Sequence, residues 1–216
     1  MASEAPSART TVRRQRDRGV YDAAAIEAIL DEALICHVGA VVDGSPVVLP
    51  TVHARAGRTL YLHGARANAL LRAGADGEVC VTATLVDGLV LARSAFHHSV
   101  NYRSVVVRGP ARAVTDPDEQ RAALEALVDH AVPGRSAETR PPSEAELRST
   151  LVLAVGLDEA SAKVRSGPPI DEPEDHALPH WAGELPLRLE AGPPRPDPDL
   201  PADRAVPASV TGWRRP

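Results

Sequence analysis

The sequence predicts one α+β domain whose strands run mostly antiparallel and close into a barrel. Short apolar runs rich in valine and leucine recur along the chain at the length of strands. Two Asp-Gly pairs, at 43–44 and 87–88, are typical of tight hairpin turns. Helical periodicity is confined to a few segments, so hairpins outnumber helical crossovers. This pattern predicts an antiparallel sheet that closes on itself and is flanked by helices.

The predicted elements begin at residue 13, because residues 1–12 are small and polar and are expected to be disordered. Asp22 is expected to cap the first helix, which carries apolar residues at helical spacing. Pro50 interrupts the second strand and indicates an edge or a bulge, since proline donates no ladder hydrogen bond. The predicted helices cover 23–35, 65–74, a long segment from Pro117 and a short one after Ser143. The predicted strands cover 36–42, 46–54, 59–63, 78–86, 89–96, 103–114, 151–157 and 161–166.

Both later helices have clear start signals. Asp116 and Glu119 match a capping box around Pro117, and Ser143 and Glu146 match one for the shorter helix. The apolar stripe of the longer helix is expected to face the core and consists of Leu124, Leu127 and Val128.

The chain changes character after residue 187. Seven of the twenty prolines fall within 190–216, and apolar residues become sparse. We therefore expect a domain at 13–187, followed by a Pro-rich, disordered tail at 188–216. Trp213 could dock on the domain, although a solitary aromatic residue in such a tail usually has no partner.

Composition excludes several classes of function. The formal net charge of −5 argues against nucleic-acid binding, which needs a basic surface. No apolar run approaches the roughly 18–20 residues of a membrane span, and no secretory signal is present, so a cytoplasmic location is expected. The two cysteines lie inside apolar runs and are expected to be buried thiols.

A dense polar segment at 94–103 lies between two apolar runs and indicates a polar ligand. It contains Ser94, His97, His98, Ser99, Asn101, Tyr102 and Arg103. The adjacent histidines would point to opposite faces of a strand, and no paired ligand motif accompanies them, so no protein-built metal site is predicted. Gly-rich phosphate loops and the G-x-S-x-G motif are absent. A phosphate could still bind at His63-Gly64-Ala65-Arg66, where a strand gives way to a helix, although an ordinary turn has the same pattern.

Four stretches together resemble the flavin-nucleotide-binding branch of the pyridoxamine 5′-phosphate oxidase-like superfamily, which includes nitroimidazole-resistance proteins. They are DRGVYD at 17–22, CHVGAVVDGSPVVLPTVHARAGRTLYLHG at 36–64, DGLVLARSAFHHSVNYRSVVVRGPA at 87–111, and ASAKVRSGPP with WAGELPL within 160–187. The resemblance implies an FMN-binding split β-barrel. It also implies a homodimer with FMN in two grooves between the subunits and an oxidoreductase activity on a small molecule.

The resemblance also implies a set of site residues. Pro50 and Thr51 would line the flavin ring, His63 would contact substrate as the catalytic residue, and the partner subunit would contribute part of each groove. The implied cofactor-binding residues are Pro50, Thr51, His63, Gly64, Arg66, Asn68, Ser99, Asn101, Tyr102 and Arg103.

One segment departs from the pattern of these relatives. Where they commonly carry serine after the His-Gly pair, this chain has Ala65-Arg66-Ala67-Asn68-Ala69. Two hydroxyl donors are thereby replaced by methyl groups, which leaves haem or a deazaflavin as alternatives to FMN. For haem, His63 or His98 would be the axial ligand. A non-catalytic cofactor-binding protein is the remaining alternative.

Overall fold

The computed structural model describes residues 4–201 and 203–214, and within them the chain forms ten strands and five α-helices. The strands are β1 Gly19–Val20, β2 Cys36–Val42, β3 Ser45–Thr51, β4 His53–Ala56, β5 Thr59–Ala65, β6 Glu78–Leu91, β7 Ser99–Ala113, β8 Thr150–Gly156, β9 Ala160–Arg165 and β10 Gly183–Pro186. The helices are α1 Ala23–Glu32, α2 Ala69–Ala75, α3 Pro117–Ala131, α4 Glu144–Ser149 and α5 Ala208–Thr211.

All strand pairings are antiparallel, which confirms the predicted fold class. The main path through the sheet runs β3-β2-β6-β7-β8-β5-β4, with β9 on β7 and β10 on β6. Strand β7 joins the two halves of the fold: its first part pairs with β6 and β9, and Ala111–Ala113 pair with β8. The long β6–β7 ladder therefore forms the centre of the sheet, and the strands on either side pair with β6 or with β7.

The main core lies on the inner side of the curved sheet, under helices α1 and α2. Its fully buried members come from α1 and from strands β2, β5, β6, β7 and β8, and they include Leu30, Val38, Leu60, Leu62, Val81, Val105, Val107 and Leu153. Strand β8 is buried on both faces, because Val152 and Ala154 pack in a second cluster with Ala123 and Leu124 of α3. This second cluster fixes α3 on the outer side of β5 and β8.

The predicted hairpin at Asp87-Gly88 is wrong. Strand β6 continues through both residues, and its register against β7 shifts between Val86 and Gly88, as in a β-bulge. A Cβ atom on Gly88 would lie 3.0 Å from the backbone oxygen of Leu185, so a larger residue would push the β10 backbone away slightly, and this close approach favours glycine. The chain reverses instead around a short 3-10 helix at Ala95–His97.

The predicted strand 46–54 is divided in two. Strand β3 ends at Thr51 and pairs with β2, whereas β4 begins at His53 and pairs with β5. Strand β3 lies at one end of the sheet path, which agrees with the edge position that Pro50 predicts. Val52, the single residue between them, therefore connects one half of the fold to the other.

The helices predicted from the sequence are all present, but some of their bounds and caps differ from the prediction. Helices α1 and α2 are shorter than predicted, and α2 begins at Ala69 because Asn68 caps it. Asp116 caps α3 as expected, yet the Glu119 carboxylate binds the Tyr61 hydroxyl and Arg112 instead of closing a capping box. Ser143 and Glu146 do form the predicted box at α4.

Within the described part of the tail, helix α5 is the only regular element after β10. None of the helices in the described residues is long and apolar enough to cross a membrane.

Candidate functional site

A cavity of about 810 Å³ lies between helix α3, residues 132–142 and strand β5. Its wall is mostly apolar and includes Val52, Leu124, Leu127, Val128, Ala131 and Val132. The volume falls within the roughly 300–1,000 Å³ typical of small-molecule and cofactor sites. The stripe of α3 that the sequence assigns to the core is thus divided: Leu127 is 4% exposed, whereas Val128 is 39% exposed and faces the cavity.

His63 is the polar side chain that β5 contributes to this cavity. The ring is half-buried, and its Nδ1 atom is shielded from solvent without a hydrogen-bond partner among the described residues. Burial lowers the pKa of His63 below its ordinary value. The imidazole is therefore held neutral, in the form that can coordinate a metal centre or accept a proton.

Two arginines line the cavity where it meets solvent. Arg135 pairs with Glu138 at 3.0 Å, and Arg140 pairs with Glu146 at 2.6 Å. Both pairs are partly exposed and are screened by solvent, so their net contribution to stability is small. An anionic group on a ligand would compete with Glu138 and Glu146 for these guanidinium groups.

A pair of histidines lies behind the cavity wall and was not singled out by the sequence. His53 is fully buried on β4, and its ring centroid is 4.6 Å from that of His130 on α3. The Nε2 atom of His53 donates to the Leu30 carbonyl at 2.9 Å, and that of His130 to the Ala33 carbonyl at 2.8 Å. These carbonyls end helix α1 and lack helical partners, so the two rings tie the end of α1 to β4 and α3.

The segment that follows His63 is tightly packed. A Cβ atom on Gly64 would lie 2.7 Å from a methyl group of Leu71, so only glycine fits without a shift of that side chain. Asn68 accepts a hydrogen bond from the Leu71 backbone at 3.2 Å and is thereby used as a helix cap. Arg66 is exposed, and its Nε atom donates to the Arg148 carbonyl at 3.0 Å. No ion pair engages Arg66 within the described chain, which leaves its terminal nitrogens available to an anion.

The edge strand β3 carries Pro50 and Thr51. Pro50 is exposed, and the Thr51 hydroxyl donates to the Val52 carbonyl at 3.2 Å. Because Val52 lines the His63 cavity, the predicted flavin-lining residues and the cavity are adjacent along the chain.

Arg103, in the polar segment 94–103, is held by two carboxylates. It binds Asp87, at 2.8 Å, and also Glu32, and these hydrogen bonds raise the pKa of Arg103 above its ordinary value. The positive charge is thus neutralised inside the protein, and Arg103 is less available to a phosphate than Arg66 is.

Asn101 belongs to a separate small pocket of about 360 Å³. Its amide donates to Glu184 at 2.6 Å, and its oxygen accepts from the buried Arg165. Of the remaining polar residues in the segment, Ser99 and Tyr102 lie half-buried on β7, and His98 is exposed with its ring bonded to the Ser94 carbonyl at 2.9 Å.

The two predicted halves of the binding site are not brought together within one chain. His63 pairs with Val152 on β8, and the neighbouring Leu153 pairs with Ala113 at the far end of β7. Arg103 and Ala113 lie ten positions apart on β7, or about 33 Å along the path of the strand at the usual rise.

The edge region of the sheet exposes apolar side chains that a lone domain would normally cover. Val41 and Val48 are 65% and 62% exposed, and Leu49 is 43% exposed. An unpaired edge strand with exposed apolar groups favours association with another chain.

Comparison with known proteins adds a family and several solved structures. The family model described as pyridoxamine 5′-phosphate oxidase matches residues 22–164. A flavocytochrome from Azotobacter vinelandii, Anf3, is 40% identical over 98% of this chain and 99% of its own, with a TM-score of 0.93. The FAD and haem binding protein from Mycobacterium smegmatis is 38% identical, covering 90% of this chain and 96% of its own, with a TM-score of 0.86.

A putative 5-nitroimidazole antibiotic resistance protein from Bacteroides thetaiotaomicron is 27% identical, covering 68% of this chain and 86% of its own, with a TM-score of 0.57. Among curated proteins there is no significant match.

Proposed function

The chain belongs to the pyridoxamine 5′-phosphate oxidase family of split-barrel proteins, and from that premise we propose that it is a redox protein that binds both a flavin and a haem. The haem would occupy the His63 cavity, and the flavin would lie in a groove between two copies of the chain. The observation that carries this proposal is the neutral, half-buried His63, which lines an apolar cavity of about 810 Å³ and has a buried Nδ1 atom without a partner.

The residues of the cavity fit a haem in three respects. A neutral imidazole is a common axial ligand of haem iron, and the lowered pKa of His63 reduces competition from protons. The apolar face of α3 would cover the macrocycle and exclude water. Arg135 and Arg140 would bind its carboxylates, which match guanidinium groups in charge and geometry.

The proposed flavin site uses residues on both sides of a subunit boundary. Pro50 and Thr51 on the edge strand would lie beside the ring, and Arg66 would bind the phosphate. Ser99, Asn101, Tyr102 and Arg103 would come from the second copy, because one chain keeps them far from His63 along β7. The exposed apolar edge around Val48 supports this homodimer.

The flavin would supply the redox chemistry, and the protein would position it and keep its surroundings dry. FMN is the form that the sequence motifs favour. The name of the Mycobacterium smegmatis relative supports FAD as the alternative. The substrate would be a small acceptor that reaches the flavin at the subunit interface.

A second candidate function is favoured by the likeness to the nitroimidazole-resistance protein. In this case the cavity would take a small conjugated acceptor, such as a nitro-aromatic compound, and His63 would contact it as the catalytic residue. The protein would then bind flavin without haem.

The visible absorption spectrum of the purified protein tests these proposals. A flavin gives bands at about 370 and about 450 nm, and a haem gives a strong band at about 400 nm. Both sets together support the main proposal, and flavin bands alone, unchanged by added haemin, support the second. A protein that shows neither set after addition of FMN, FAD and haemin would overturn both. Chromatography of the released flavin distinguishes FMN, FAD and a deazaflavin.

A further inference from the structure

The C-terminal tail ends in a specific contact with helix α3. The indole Nε1 atom of Trp213 donates to the Ala131 carbonyl at 2.9 Å. Ala131 is the last residue of α3, and carbonyls in the last turn of a helix have no partner within the helix. Trp213 therefore acts as a side-chain cap at the end of α3, more than eighty residues away in the sequence.

A second contact joins the tail to the segment that follows α3. The Ser209 hydroxyl donates to Glu138 at 2.5 Å, and Glu138 also pairs with Arg135 at 3.0 Å. Ala131 and Arg135 both line the His63 cavity. The two tail contacts thus fall on the outer side of one wall of that cavity, formed by residues 131–142.

Between these anchors and the domain, the tail is not closely packed. A space of about 360 Å³ separates Leu34 and Val132 from tail residues that include Leu189, Pro194 and Trp213. Most of the described residues from 190 to 206 are exposed. The tail is attached mainly at its end, so a few contacts decide whether it stays bound.

We propose that residues 188–201 and 203–214 form a strap that holds the wall 131–142 against the His63 cavity and limits the rate at which a ligand leaves it. Detachment of Trp213 removes the cap from α3 and frees the segment that carries Arg135 and Arg140, which opens the cavity. The strap would hold this wall in place whatever ligand fills the cavity. Only the haemin measurement below therefore rests on the proposed function.

The test compares Trp213→Phe with Trp181→Phe in the full-length chain. Phenylalanine keeps an aromatic ring at position 213 but removes the N–H donor. Trp181 is 68% exposed and is the chain's other tryptophan, so its variant is the matched control. Amide hydrogen exchange of residues 131–142 is measured in the protein as purified. We expect exchange about three- to tenfold faster in Trp213→Phe, as for loss of one partly buried hydrogen bond, and unchanged in Trp181→Phe.

A second measurement follows transfer of haemin from the loaded protein to an excess of apomyoglobin. We expect release about three- to tenfold faster from Trp213→Phe, and a further increase when Ser209→Ala is added, because both anchors are then lost. Exchange in 131–142 that stays at the wild-type rate in both Trp213→Phe and the double variant would overturn the strap. If no protein in the set binds haemin, the haem proposal fails, and the exchange result still decides whether the strap exists.

Discussion

The imidazole rings of His53 and His130 lie with their centroids 4.6 Å apart and their planes tilted at 47°. Each ring uses Nε2 to donate to a carbonyl at the end of helix α1, so each Nδ1 atom is without a proton in the neutral form. The Nδ1 atom of His53 is buried and has no partner within the described residues. The pair joins α1, β4 and α3, in a buried place where desolvation opposes added positive charge more strongly than the nearby Asp31 favours it.

Stability should therefore fall at mildly acidic pH. Burial is the main cause that lowers the pKa of His53 from 6.5 to about 4. The unfolded chain binds a proton at this residue below about pH 6.5, and the folded chain does not until about pH 4. The free energy of unfolding is thus highest above pH 6.5 and should drop by roughly 3 kcal/mol as the pH falls to about 4.

Urea denaturation across this range measures the effect. Other groups also titrate there, so His53→Gln serves as the comparison: its amide can donate to the Leu30 carbonyl but does not titrate. The fall in stability should be smaller in His53→Gln and unchanged in His180→Gln, where the histidine is exposed. An equal fall in stability in the wild type, His53→Gln and His180→Gln would show that His53 is not the cause.

His63→Ala should abolish the proposed haem site. Loss of the proposed iron ligand should weaken haemin binding by more than about 100-fold, since loss of a group that only hydrogen-bonds to a metal ligand already costs about 10–100-fold. His98→Ala is the matched control, because His98 is exposed and bonds its own backbone segment. Haemin titration followed by absorbance gives both affinities. Retention of haemin by His63→Ala, together with its loss in His98→Ala, would show that His98 of the polar segment binds the iron and that His63 does not.

Arg66→Ala should weaken flavin binding without dissociating the proposed dimer. Loss of charge-assisted hydrogen bonds to a phosphate costs about 1.5–3 kcal/mol, which corresponds to roughly 10–150-fold in affinity. Arg72→Ala, on the exposed side of α2, is the control. Flavin fluorescence quenching gives the affinity, and sedimentation gives the oligomeric state. If the flavin affinity is unaffected, the phosphate is bound elsewhere.

Arg103→Lys should reduce stability more than it reduces flavin affinity. A lysine cannot reproduce the paired hydrogen bonds that Arg103 makes with Glu32 and Asp87, and the two carboxylates would remain close together. We expect a loss of about 1–2 kcal/mol in the free energy of unfolding, measured in urea. Arg108→Lys, on an exposed position of β7, is the control. A large loss of flavin affinity at unchanged stability would show that Arg103 binds the cofactor directly and is not only a structural part of the groove.

Local signals in the sequence determined much of the fold. Asp22, Asp116 and Ser143 begin helices where predicted, because a cap depends only on residues within one turn. Pro50 marked an edge strand for the same kind of reason, since its missing N–H group excludes a central position. The resemblance of the strand motifs to a known family also identified the fold class.

Only the tertiary structure decided the features that depend on distant neighbours. Asp87-Gly88 has the composition of a hairpin turn, but β6 continues through it with a shift in register, and β10 packs closely against Gly88. Val128 has the spacing of a core residue, yet nothing in the helix itself reveals that the facing space is a cavity. Burial of His53 and the docking of Trp213 on Ala131 likewise join residues far apart in the chain. The physical reason is that propensity and periodicity report what one segment favours, whereas cavities, buried charges and strap contacts arise from which segments the fold brings together.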